Sequence, residues 1–269
     1  GETDCTRDYG LLDDLELHNH HTFLENEYLT LLYNYNSLLD GGSKDELLDK
    51  LLDSWDGDVW DLRQAYLDAS PYLSPDVLKE LALSEKLPLA VYLEVALSNP
   101  EGTQKDEYID FMKSTEGENL LTPTGIELIK GSWDTKTFRA TLESNISSKL
   151  SDMEEVSRTI IHRIINDSTG VNISNYRDRL NSIRNIEAKY ELVDSYIGTK
   201  EYNTAETLLN TLLTDPNNEK YNANDINDYL LLLSIMRDKN DTTNLIPIDE
   251  RLETLSNSST RAGAKAKAY

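Results

Sequence analysis

Apolar residues return every three or four positions along most of this chain, and that spacing constrains the fold more than any other feature. From Phe23 they run Phe23, Leu24, Tyr28, Leu31, Leu32, Tyr35, Leu38 and Leu39, which gathers them on one face of a helix. Gly41-Gly42 stops the run. Ser43, with Glu46 three residues on, is a capping-box pattern ahead of Leu47, Leu48, Leu51, Leu52 and Trp55. Strictly alternating, β-branched stretches that would make strands are missing. The chain is therefore read as all-α.

Punctuation divides it into two regimes. Residues 23–131 read as an array of short helices. Val59 to Leu67 follows the Asp56-Gly57-Asp58 break, Ser74-Pro75 opens a helix to about Ser84, and Pro88 opens another that Asn99-Pro100 closes. Gln104 to Lys113 and Thr122-Pro123 to Lys130 complete this half. Residues 132–245 form the second regime. From Trp133 to about Asn166 there is neither proline nor glycine, which predicts one long helix, and Ser174 to Gly198 predicts a second. Two long neighbours joined by a short turn are expected to pack antiparallel. Residues 1–22 read as a leader and 246–269 as a flexible tail.

Charge bounds the partners. Forty-nine acidic residues against 26 basic ones give a net charge of -23, which repels phosphate backbones and anionic lipid and so disfavours nucleic acid and membrane binding. No stretch approaches the roughly 18 apolar residues of a membrane span. A single cysteine, Cys5, excludes an internal disulfide framework and a multi-thiolate metal site. A protein partner is the remaining expectation, with no cofactor.

Candidate chemistry is sparse. Leu17-His18-Asn19-His20-His21 could present imidazoles on a helix, but lacks the His-Glu-x-x-His order of a zinc protease. Asp53, Asp56, Asp58 and Asp61 surround Trp55 and Trp60, yet the sixth-position glycine and twelfth-position glutamate of a calcium loop are missing. No nucleophile elbow, phosphate-cradling loop or dinucleotide fingerprint occurs. Exposed aromatics are what is left for recognition: Trp55, Trp60, and Tyr33, which falls off the apolar stripe of its helix.

Two resemblances add to this. Residues 186–236 resemble a tetratricopeptide-type hairpin, through Glu191-Leu-Val-Asp-Ser-Tyr196 in the first helix, Glu201-Tyr202 at the turn, Ala205 at the close crossing, and Leu209, Leu212 and Pro216 in the second helix and its stop. The large aromatic of that pattern is absent near the first helix start, and Pro216 falls one residue early. Within residues 63–100, Arg63-Gln-Ala-Tyr66, Ser70-Pro-Tyr-Leu-Ser-Pro-Asp-Val-Leu-Lys-Glu80 and Leu87-Pro-Leu-Ala-Val-Tyr-Leu-Glu-Val-Ala-Leu-Ser-Asn-Pro100 together resemble a helical region near the C-terminal end of large secreted surface proteins of Bacteroidota. That resemblance implies a sorting domain of the type IX secretion system after Tyr269 and a secreted or cell-surface location. Together these readings predict a non-enzymatic structural or protein-interaction module, a spacer or docking platform; the alternative is an accessory glycan- or peptide-binding domain of a secreted enzyme.

Overall fold

A computed structural model describes residues 9–55, 57–168, 170–183, 185–214, 223–240 and 250–267. Every regular element among them is helical: α1 (Asp14–Leu38), α2 (Lys44–Asp53), α3 (Val59–Asp68), α4 (Pro75–Leu83), α5 (Leu89–Leu97), α6 (Pro100–Thr103), α7 (Asp106–Lys113), α8 (Thr115–Gly131), α9 (Phe138–Ile165), α10 (Ile173–Ser182), α11 (Ile186–Gly198), α12 (Tyr202–Thr214), α13 (Ala223–Asn240), α14 (Glu250–Ser256) and α15 (Arg261–Ala266). The chain divides within α9 into a unit of residues 12–156 and a second unit formed by the remainder.

Local chemistry sets most helix ends. Asp13 accepts from Glu16 N while Glu16 Oε2 accepts from Asp13 N, both at 2.8 Å, so α1 begins at a capping box nine residues before Phe23. The histidine cluster thus lies within α1. Ser43, Ser74 and Ser114 cap α2, α4 and α8 through their hydroxyls. Helix α8 breaks at Thr122 (φ 60, ψ 152), where the Thr122 hydroxyl accepts from Gly125 N and Pro123 takes the next helical position.

In the unit of residues 12–156, Leu47, Leu51, Tyr66, Leu73, Leu78, Val95, Tyr108 and Ile129 belong to one buried cluster that joins the short helices. Helices α1 and α9 run antiparallel here: Tyr35 pairs with Glu143, and Glu27, two turns back, pairs with Lys149, further forward. The long partner of the first part of α9 is therefore α1, far away in sequence.

Among the described residues of the second unit, two clusters form. Ile161 on α9 packs with Leu180, Ile183, Ala188 and Leu192, and Tyr190, Val193, Ala205, Leu209, Tyr229, Leu233, Leu255 and Ala262 make the other. The single helix expected over 174–198 is two. Ile183 adopts an extended backbone (ψ 132), and Asn185 restarts the helix by accepting from Ala188 N. Part of the expected flexible tail is also ordered helix: Leu252, Leu255, Ala262 and Ala266 are buried, and Lys265 pairs with Asp194 at 2.5 Å. Pro216 lies outside the described residues.

Candidate functional site

The segment Ser70–Ser74, which proline and serine mark as a simple turn, is tied to distant parts of the first unit. Four remote side chains hold it. Asp40, buried and in the left-handed region at φ 52, accepts from Ser74 N at 2.6 Å and donates its own N–H to Tyr72 O at 3.0 Å. The Asn99 side chain accepts from Leu73 N at 3.0 Å and donates to Ser70 Oγ and Val95 O at 2.7 and 2.8 Å. Arg139 donates Nη1 to Leu73 O at 2.9 Å and Pro71 O at 3.3 Å, Nη2 to the Tyr35 hydroxyl at 3.0 Å, and Nε to Glu143 Oε1 at 2.9 Å. Tyr35 donates to the same Glu143 oxygen and meets the Tyr72 ring edge-on at 6.3 Å. A buried loop would otherwise carry orphaned N–H and C=O groups, and these side chains supply their partners.

Burial pushes the Tyr35 phenol up to about 12, although the neighbouring Arg139 guanidinium pulls it the other way. The Tyr92 and Tyr108 hydroxyls are hydrogen-bonded to each other in the core, and burial lifts Tyr108 to about 12. In the second unit Tyr190 stacks on Tyr229 at 4.9 Å and is raised to about 12, again through burial. These groups stay neutral phenols near pH 7, holding helices together.

A groove between α2 and α3 collects Glu46, Asp49, Asp53, Asp58 and Asp61 around a floor that includes Leu62 and Ala65. Its turn is closed by Asp58, which accepts from Trp55 N and donates to Trp55 O, both at 2.9 Å. Lys86 secures the end of α2 by donating to the Leu51, Leu52 and Ser54 carbonyls. Trp55 and Trp60 are 82% and 69% exposed, yet neither lines this groove. Trp60 points roughly 120° around α3 from the Asp61–Ala65 edge and lies under the Arg63 guanidinium at 5.8 Å. Arg63 in turn pairs with Glu94 and holds that carboxyl below its ordinary range. Trp60 and the acidic groove thus lie on different faces of α3. Tyr33, the third aromatic candidate, is 74% exposed on α1.

The remaining candidates resolve simply. His18 Nδ1 bonds the Asp14 carbonyl at 2.8 Å, one turn earlier in its helix, and His20 stacks on Phe23. No group of three or more His, Cys, Asp or Glu placed to hold a metal occurs among the described residues, and no helix among them is long and apolar enough to cross a membrane. Sequence reading missed Asp40, Asn99 and Arg139. The nearest local signal was Asp40-Gly41-Gly42, a left-handed turn pattern, and Asn99-Pro100, taken only as a helix stop. No family model, curated protein or solved structure matches the chain.

Proposed function

We propose that this chain is a non-enzymatic structural or protein-interaction module of a secreted or cell-surface protein, acting as a spacer or docking platform near the export-signal end. The observation that carries the reading is the convergence of Asp40, Asn99 and Arg139 on residues 70–74. The buried polar chemistry of the first unit acts on the fold, which makes a stiff body suited to holding a surface in place. The surface address rests on the resemblance of residues 63–100, whose Ser70–Ser74 phrase is the clamped loop. A tetratricopeptide-like pairing of α11 and α12 belongs to the same reading, supported by Ala205, fully buried in the cluster those helices share. The exposure of Trp55 favours a second reading, accessory glycan or peptide binding.

Crosslinking the purified chain to intact cells of its source tests the proposal. The expected result is covalent capture of one surface or secretion protein, reduced by excess uncrosslinked chain. Capture of cytosolic proteins only, or none, would overturn it. Loss of capture in Trp55→Ala together with tryptophan quenching by a soluble glycan would favour the second reading.

A further inference from the structure

We propose that the acidic seam between α11 and α13 is a docking site for a basic helical segment of a partner protein, and that α15 occupies it as an exchangeable internal ligand. This inference is independent of the secretion reading and rests on contacts within the second unit.

The seam has an aromatic floor and a carboxylate rim. Tyr190 of α11 stacks on Tyr229 of α13 with ring centroids 4.9 Å apart. Glu187, Glu191 and Asp194 fall within about 60° of one another around α11, and Asp225 and Asp228 stand in the first two turns of α13. Burial raises the Tyr190 phenol, and Asp225 and Glu187 add to that effect, which places both carboxylates beside the stack. Helix α15 supplies the opposite charge. Arg261 sits over the Tyr190 ring at 5.7 Å and pairs with Glu187, and Lys265 pairs with Asp194 at 2.5 Å. A guanidinium over an aromatic face gains from the ring quadrupole as well as from the carboxylate. Residues 254–269 carry basic residues and no acidic one, in a chain of net charge -23.

Charge does most of the holding. The apolar side chains that α15 places in the core are those of Ala262 and Ala266, whereas the large anchors, Leu252 and Leu255, belong to α14. A helix this short is not stable by itself in water. Both ion pairs are partly exposed, at 32% and 59% for Arg261–Glu187 and 36% and 24% for Lys265–Asp194, so each is weak and screened by salt. The turn before α15 is tied down separately, through Ser258 and Thr260 hydroxyls that donate to Asp228 at 2.6 and 2.7 Å, so α15 can leave while α14 stays. Docked α15 also leaves part of the rim unused, because Glu191 and Asp225 have no basic partner among the described residues. A longer basic helix reaches those two carboxylates in addition to Glu187 and Asp194, which lets it displace the tethered segment. A second copy brings only the contacts of α15 again and loses to the tethered one. The occupant is therefore a partner's basic helix, with Arg and Lys four residues apart and small residues beside them, as in α15.

Fluorescence anisotropy of a labelled synthetic peptide of residues 254–269 against the full chain is the test. Wild type is expected to bind it weakly, because its own α15 competes at high effective concentration. Arg261→Glu/Lys265→Glu, checked for helix content by circular dichroism, should bind it on the order of tenfold more tightly. Adding Glu187→Gln and Asp194→Asn, or raising NaCl, should remove that gain, and a scrambled peptide of equal charge should not compete. Hydrogen exchange of the wild type reads the same exchange of α15 without any variant: residues 261–266 should lose protection as NaCl rises while residues 226–235 keep theirs. Equal binding by wild type and tail variant, equal competition by the scrambled peptide, or salt-independent protection of α15 would each overturn the proposal. So would a wild-type mass above 30.6 kDa in sedimentation that the tail variant abolishes, since the seam would then belong to a second copy.

Discussion

Arg139, in the first turn of α9, donates to the carbonyl of Leu73 at 2.9 Å across 66 residues of sequence. The same guanidinium reaches Pro71, Tyr35 and Glu143, and its side chain is 2% exposed. Arg139→Met keeps much of the apolar stem but leaves two loop carbonyls without their donor and Glu143 with only the Tyr35 hydroxyl. Removing one member of a buried ionic network is expected to cost roughly 3 kcal/mol. Urea unfolding followed by circular dichroism measures it, and a loss under about 0.5 kcal/mol, the range of ordinary surface changes, would sink the clamp.

Two glycines should respond with opposite sign. A Cβ on Gly102 would meet Leu73 O at 2.5 Å and Leu78 Cδ1 at 2.9 Å, whereas one on Gly131 meets nothing within 4 Å. Gly102→Ala is expected to destabilise by roughly 2 kcal/mol, because a backbone carbonyl cannot swing aside as a flexible side chain can. Gly131→Ala, at the end of α8, should stabilise by roughly 0.5 kcal/mol through helix propensity. Matched melting curves of the two variants check both signs.

Lys86 ties the last turn of α2 to the chain before α5 through the Leu51, Leu52 and Ser54 carbonyls. Lys86→Met keeps the stem and removes the donors, so about 1 kcal/mol should be lost and the turn carrying Trp55 should loosen. Amide exchange across residues 51–55 is the direct readout. Unchanged protection there would mean that the lysine is incidental.

Alkaline pH should unfold the protein through its tyrosines. Tyr35, Tyr108 and Tyr190 have folded-state values raised to about 12 from 10.0 by burial. The neutral phenol is the form the fold favours, so its stabilising contribution is complete below pH 10 and is lost as pH rises toward 12. Tyrosinate absorbance should therefore show two phases, with the later one coinciding with the loss of helical circular dichroism. A single phase near 10 with the helix intact would contradict the burial.

The helical reading rested on particular residues. Ser43, Ser74 and Pro75 mark their helix starts in the sequence and do so in the structure, because a cap acts over three residues and needs no distant partner. The break at Ile183–Asn185 was hidden for the opposite reason. The apolar spacing from Tyr176 through Ile183 and Ile186 to Tyr190 is continuous with a helix, and only packing of Ile183 beside Ile161 and Leu192 makes the interruption favourable. The buried positions after residue 250 were obscured by Lys265 and Lys267, whose charges drew attention away from Ala262 and Ala266.

Trp60 shows how placement separates residues that lie close in sequence. Trp55 and Trp60 stand five residues apart and suggested one contact with the surrounding acids, but helix geometry turns Trp60 toward Arg63 and away from the groove.

Sequence by itself determined that the chain is helical, acidic and finely punctuated, because periodicity, caps and charge are properties of a few neighbouring residues. Only the tertiary structure decided that Asp40, Asn99 and Arg139 meet at Leu73 and its neighbours, and that α9 lies antiparallel to α1. A buried carbonyl accepts whichever donor the packing brings within 3 Å or so, and no local pattern names a partner 66 residues away.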